Sequence, residues 1–85
     1  MPQPQTVWVL HIAHENGHDI TLHATAAGAR AAVAAYARFY WDQLDESAEY
    51  PADCAGLSDE EVVRIYFAHA HGESYSIDGD TVPTA

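Results

Sequence analysis

The sequence predicts an α+β fold: a β-hairpin, two α-helices and a C-terminal strand, with both helices on one face of a three-stranded antiparallel sheet. Residues 6–13 are rich in β-branched and aromatic side chains, residues 26–37 are mostly alanine, and a helix-capping sequence begins at Ser58. The 85 residues fit a single domain, 1–85. Its first five residues, 1–5, form a proline- and glutamine-rich leader that we expect to be flexible.

A hairpin is predicted over residues 6–25, and its turn length decides which side chains share a face. A two-residue turn at Asn16 and Gly17 would combine the apolar side chains of the first strand with polar ones of the second, which makes a poor core. A three-residue loop over 15–17 makes one face wholly apolar instead, through the pairs Ile12–Ile20, Leu10–Leu22 and Trp8–Ala24. We therefore predict the three-residue loop, in which Gly17 takes the left-handed position.

A first helix is predicted over residues 26–44, with Thr25 as its N-cap. Eight of the twelve residues in 26–37 are alanine, the strongest helix former. One apolar stripe runs along this helix, from small residues at its start to aromatic residues at its end. Phe39 falls off that stripe, so it needs a second partner: either the second helix or another chain.

A second helix is predicted over residues 59–71, because Ser58 and Glu61 form a capping box. Gly72 is its expected end. Tyr75, Ile77 and Val82 indicate a last strand that Asp78-Gly79-Asp80 interrupts, and we expect this strand to lie beside the first strand of the hairpin.

The charge balance excludes several classes of function. Thirteen Asp and Glu residues against three Arg and no Lys give a formal charge of −10. Binding to nucleic acid phosphates or to an anionic membrane needs a basic surface, so we expect neither partner. The N-terminus shows no signal-peptide pattern, which predicts a cytoplasmic protein.

An acidic segment is the strongest functional signal. Eight carboxylates fall within residues 42–61, and no basic residue lies among them. One interpretation is a decoy that competes for a protein groove which normally holds phosphates. The other is a solvated loop combined with helix capping. The lack of compensating lysine favours the decoy, since ordinary surfaces intersperse both signs of charge.

Six histidines give a second signal. In the predicted register, His14 opposes His18, while His11 and His23 lie near one another on the other sheet face. Either pair could supply two metal ligands, but neither completes a zinc signature, so no metal site and no cofactor are predicted.

Protonation of all six histidines would move the formal charge from −10 to −4. Binding driven by net charge should then weaken in mildly acidic solution.

No pattern indicates an enzyme. The single cysteine, Cys54, lies in an acidic loop, and neighbouring negative charge disfavours the thiolate that a nucleophile requires. Nucleophile-elbow, zinc-protease and phosphate-loop motifs are missing from the sequence. We therefore expect a non-enzymatic protein.

The aromatic residues exceed what a three-stranded sheet can cover. Packing of the two helices against each other would account for the excess, and so would a hydrophobic interface with a second copy or a larger partner. Phe39, Trp41 and Tyr50 are the predicted apolar anchors of such an interface.

Four segments together resemble a family of short acidic bacterial and phage-borne proteins. They are residues 7–10 (VWVL), 14–20 (HENGHDI), 22–25 (LHAT) and 40–42 (YWD). The motifs are structural, so the resemblance implies a hairpin followed by an amphipathic helix. In size and charge the chain is also similar to small acidic anti-CRISPR proteins, several of which block a nucleic-acid-binding groove.

These observations predict an inhibitor that binds a protein with a basic nucleic-acid-binding groove, and the likeness to anti-CRISPR proteins implies a Cas effector complex as that partner. The carboxylates expected to stand in for phosphates are Asp42, Asp45, Glu46, Glu49, Asp53, Glu60 and Glu61. Two alternatives remain open: a small homodimeric accessory protein whose charge serves solubility, and a histidine-based metal-binding protein.

Overall fold

A computed structural model describes residues 5–44 and 49–82 of the chain. The order of hairpin, helices and last strand is confirmed, as is the α+β class. The elements are β1 (Gln5–His14), β2 (Gly17–His23), α1 (Ala26–Phe39), a 3-10 turn (Trp41–Gln43), α2 (Asp59–His69) and β3 (Ser74–Val82).

The three strands form one antiparallel sheet in the order β2-β1-β3. The prediction that the last strand lies beside the first is therefore confirmed. Gln5 pairs with Val82, so it belongs to β1 and not to a flexible leader. The rest of that predicted leader lies outside the described residues.

Strand β3 runs without a break through Asp78-Gly79-Asp80, contrary to the sequence prediction. Trp8 pairs with Gly79 across the sheet, and its indole ring lies directly on the glycine. A Cβ atom at Gly79 would come within 2.9 Å of Cζ3 of that ring. A glycine has no side chain to pack in a strand, and the indole ring of Trp8 covers this position instead. The ring fits there only because Gly79 has no Cβ atom.

Helix α1 begins as predicted, since Oγ1 of Thr25 accepts a hydrogen bond from the Gly28 N–H at 2.9 Å. It ends at Phe39, five residues before the predicted end at residue 44. The 3-10 turn that follows redirects the chain, so that Trp41 packs into the core and its indole N–H donates to the Pro51 carbonyl at 3.1 Å.

Helix α2 opens with the predicted capping box. Oγ of Ser58 accepts from the Glu61 N–H at 3.2 Å, and the Glu61 carboxylate accepts from the Ser58 N–H at 3.3 Å. The helix ends at His69, two residues before the predicted end at residue 71, and Gly72 follows with a φ of +77°. That left-handed conformation favours glycine and stops the helix.

The core has two parts. The first lies between the sheet and the helices, and its buried residues are Leu10, Ile12, Ala29, Val33, Ala34 and Val63. The second lies between α1, the 3-10 turn and α2, and its buried residues are Ala37, Trp41, Tyr50, Val62 and Tyr66. Neither part includes a residue of β2, so the helices cover β1 and part of β3 and leave β2 outside the core.

The contact between Trp8 and Gly79 gives a stability prediction. Gly79→Ala should lower the free energy of unfolding by about 1–3 kcal/mol, because the added methyl group must displace the ring. Urea denaturation measures the change. Gly56→Ala is the control, since a Cβ atom at Gly56 meets no atom within 4 Å. Equal effects of the two substitutions would contradict this packing.

Candidate protein-binding face

The hairpin register differs from the predicted one. His14 pairs with Gly17, so Glu15 and Asn16 form a two-residue turn. Val9 then pairs with Leu22, and His11 pairs with Ile20. The predicted pairs Leu10–Leu22 and Ile12–Ile20 are therefore wrong, because the shift of one residue turns the side chains of β2 to the opposite face.

The prediction failed because it assumed that β2 contributes to the core. Every residue from His18 to Leu22 is exposed, so both faces of β2 are open to solvent. Burial therefore does not select the register of this strand. Polar contacts across the hairpin accompany the observed register instead. Nε2 of His14 lies 3.1 Å from Oδ2 of Asp19, on the helix side of the sheet. Gly17 has a φ of +133°, which favours glycine, as the sequence predicted for that position.

The sheet surface opposite the helices carries a mixed apolar and acidic patch, which we call the open face. Paired residues of adjacent strands point to the same side, so the register defines its members. They include Val7, Val9, His11, Ala13, His18, Ile20, Leu22, Ser74, Ser76, Asp78 and Asp80. Ile20 is 64% exposed and Leu22 is 68% exposed, whereas Val7 and Val9 on the central strand are half-buried.

Large apolar side chains with this exposure are unusual on a sheet face that meets water. Such faces are ordinarily polar, and exposed apolar patches mark interaction surfaces. Ile20 and Leu22 were not predicted as site residues, because the predicted register places them in the core. Asp78 and Asp80 were not predicted either, because the sequence indicates a strand break there. The alternation of polar and apolar residues in 18–23 (HDITLH) indicates a strand with one apolar face. Which side of the sheet that apolar face lies on depends on the length of the turn.

Two histidines lie at one end of the open face. Nε2 of His11 and Nδ1 of His18 are 2.7 Å apart, and the ring centroids are 4.8 Å apart. The predicted pairs, His14 with His18 and His11 with His23, do not form. Nε2 of His23 lies 2.8 Å from the Thr21 hydroxyl oxygen instead. Within residues 5–44 and 49–82, no three His, Cys, Asp or Glu side chains converge as a metal site would require.

The three arginines lie on the helices, so the open face has carboxylates without guanidinium groups to balance them. Arg38 is tied into the α1–α2 connection. It donates to Oδ1 of Asp59 at 2.9 Å, and to the carbonyls of Cys54 at 3.0 Å and Leu57 at 2.8 Å. The hydrogen bond to Asp59 raises the pKa of Arg38.

The carboxylates of the predicted decoy segment have mixed surroundings. Asp42 and Glu60 are exposed, and Asp53 is exposed while it accepts a hydrogen bond from the Ala55 N–H at 2.8 Å. Glu61 belongs to the capping box of α2, and Oε2 of Glu49 lies 3.7 Å from Nε2 of His69. Asp45 and Glu46 lie outside the described residues. Local structure thus accounts for several of these carboxylates, whereas Asp42 and Glu60 are exposed and take part in none of these contacts.

Two of the three predicted aromatic anchors are core residues. Trp41 is 3% exposed and Tyr50 is 9% exposed, and their rings pack edge to face with centroids 5.9 Å apart. They cannot act as surface anchors, because the early end of α1 turns this part of the chain inward. Phe39 is 78% exposed and remains available to a partner.

A shared carboxylate joins both helices to the start of β3. Oε1 of Glu73 accepts hydrogen bonds from the Tyr36 hydroxyl at 2.6 Å and from the Tyr66 hydroxyl at 3.0 Å. Burial, reinforced by the bond to Glu73, raises the pKa of both phenols far above its ordinary value. Both phenols therefore stay protonated and donate, and the cluster is a structural clamp.

Comparisons of the chain with protein-family models, with curated proteins and with solved structures give no match. The resemblance to short acidic phage-borne proteins therefore stays a prediction. Among the described residues, no helix is long and apolar enough to cross a membrane.

The Glu73 cluster predicts a loss of stability in alkaline solution. Since the phenol pKa values are higher in the folded protein, the unfolded chain releases these protons first, and the free energy of unfolding should fall as pH rises above about 10. Tyr66→Phe should reduce that pH dependence, and it should lower the free energy of unfolding at pH 7 by about 1 kcal/mol because one hydrogen bond is lost. Tyr75→Phe is the control, because Tyr75 is partly exposed. Identical pH profiles for wild type and Tyr66→Phe would contradict the clamp.

The register predicts which of the large aliphatic side chains of the hairpin stabilise the fold. Ile20→Ser with Leu22→Ser should change the free energy of unfolding by less than about 1 kcal/mol, because both side chains are exposed. Leu10→Ala should cost about 2–5 kcal/mol, because it opens a cavity under α1. Urea denaturation of both variants tests the difference. A loss in the double variant as large as that in Leu10→Ala would refute the exposed position of β2.

Proposed function

We propose that this protein is a non-enzymatic module that binds a basic protein surface through its open face. The observation that carries the proposal is the coincidence of two features on one surface. Ile20 and Leu22 offer apolar contact area on β2, and the carboxylates of Asp78 and Asp80 lie on the same face at its opposite edge, on β3. Apolar anchors and carboxylates on one face, with Val7 and Val9 between them, favour a partner that presents apolar and cationic groups about two strand spacings apart.

The two features have separate roles in binding. Burial of Ile20 and Leu22 against a partner would contribute on the order of 2–4 kcal/mol. The carboxylates, together with the formal charge of −10, would speed the encounter with a basic surface and reject acidic ones. Such binding should be salt-dependent in its association rate more than in its dissociation rate.

The specific function that the composition favours is inhibition of a nucleic-acid-binding complex in the bacterial cytoplasm. A groove that holds phosphates is a basic protein surface, and an acidic protein seated in it would exclude the nucleic acid. An anti-CRISPR or other phage counter-defence protein would act in this way on a Cas effector. Asp42, in the 3-10 turn, and Glu60, in α2, are exposed carboxylates outside the open face that serve for comparison with it.

Displacement of DNA from purified, guide-loaded Cas effector complexes tests this function. Fluorescence anisotropy of a labelled target duplex reports its release as the protein is added. We expect release by the wild type. The half-inhibitory concentration should rise at least about tenfold in the double variant Asp78→Asn with Asp80→Asn, because the carboxylates facing the basic groove are lost.

A matched control separates the open face from net charge. Asp42→Asn with Glu60→Gln makes the same change in net charge, and it should leave the half-inhibitory concentration within about twofold of wild type. The reverse order of effects would assign binding to the helix side. Release by wild type that is equally strong at pH 8 and pH 5.5 would show that charge does not drive binding. Failure to release DNA from every effector in the panel would reject the inhibitor function.

The homodimeric accessory protein is the second candidate, and the exposed apolar side chains of β2 favour it. Two copies joined through their open faces would bury Ile20 and Leu22, but they would also bring four aspartates into one interface with no arginine from that face to balance them. We therefore expect sedimentation equilibrium at pH 7.5 to give the monomer mass of 9.3 kDa. A dimer that Leu22→Ser dissociates would favour the second candidate.

A further inference from the structure

A cleft on the helix side of the sheet, away from the open face, has its own chemistry. It lies between α1, α2 and β3 and has a volume of about 730 Å³. Its apolar lining includes Ala31, Val63, Tyr75 and Ile77. The cleft exists because α2 packs beside α1 and leaves part of β3 uncovered, so that Tyr75 stays 41% exposed. Its volume falls in the usual range for small-molecule sites.

Arg30 and Arg64 both line this cleft, one from each helix. Within residues 5–44 and 49–82, no carboxylate oxygen lies within ion-pair distance of either guanidinium. Arg38, the third arginine, is by contrast fully engaged with Asp59 and two carbonyls. In a chain with thirteen acidic residues and three arginines, the two arginines that form no ion pair with the described residues line the same cleft.

The lining defines the chemistry of a ligand. A guanidinium fork binds carboxylate or phosphate oxygens in a bidentate manner. Tyr75 offers an aromatic ring, which its contact with Phe67 holds in place at a centroid distance of 4.7 Å. A ligand that satisfies both features has an anionic group at one end and a flat apolar body at the other.

The acidic groups at the cleft limit the size and charge of that ligand. Asp59 lines the cleft but is already bound to Arg38, whereas Glu60 is exposed there. Glu60 and the overall negative charge would repel a polyanion, but distant charges are screened over about 8 Å at physiological ionic strength. We propose that this cleft binds small aryl carboxylates or aryl phosphates, with Arg30 and Arg64 on the anion and Tyr75 beside the ring.

Two-dimensional NMR titration of the isotope-labelled full chain in 150 mM salt tests the proposal. The probes are phenyl phosphate and phenylacetate, with inorganic phosphate and benzyl alcohol as the separate halves of the ligand. We expect saturable shifts at the amides of Ala31, Val63 and Ile77 for the two complete probes. The two halves should bind at least about tenfold more weakly.

Two variants make the result decisive. Arg30→Gln with Arg64→Gln should weaken both complete probes at least about tenfold, because the anion loses its partners. Ala35→Glu with Ala68→Glu makes the same change in net charge at exposed positions of the same helices, and it should bind like the wild type. No saturable shifts at 10 mM probe, or equal binding by the arginine variant, would overturn the proposal. Circular dichroism of the variants confirms that they are folded.

Discussion

The incomplete coverage of the sheet by its helices is the constraint on which the rest of the structure depends. Helix α1 packs over β1, and its buried residues meet Leu10 and Ile12. Helix α2 packs beside α1, and Val63 and Phe67 bring it into contact with the β1 and β3 side of the sheet. Strand β2 therefore has no buried residue, and its apolar side chains gain nothing from pointing toward the helices. The same arrangement leaves the cleft beside β3 open, so both candidate surfaces follow from one feature of the packing.

This constraint changes how the charge of the molecule is understood. The arginines belong to the helix layer, where Arg38 ties α1 to the loop before α2. The sheet side carries Asp78 and Asp80 without such partners. An acidic protein can use its charge merely to stay dissolved, but carboxylates on the same sheet face as exposed isoleucine and leucine form a surface with defined complementarity. The proposed function depends on that placement more than on net charge.

Sequence reasoning succeeded where local chemistry decides the structure. Thr25 and Ser58 cap helices because their hydroxyl groups meet free N–H groups, and this interaction needs no tertiary context. It failed where distant packing decides. The ring of Trp8 packs on Gly79 within β3, and no residue close to Gly79 in the sequence predicts that contact. Which residues of β2 point toward the helices depends on how far the helices extend over the sheet, and no local sequence pattern shows that. Ile20 and Leu22 were therefore assigned to the wrong face, and the open face was missed.

Measurement of cross-strand nuclear Overhauser effects in the hairpin tests the central claim most directly. The open face exists only if β2 pairs with β1 in the observed register. Side-chain and amide contacts should then connect Val9 with Leu22 and His11 with Ile20. Contacts that connect Leu10 with Leu22 and Ile12 with Ile20 would return both apolar side chains to the helix side, and the proposed binding surface would not exist.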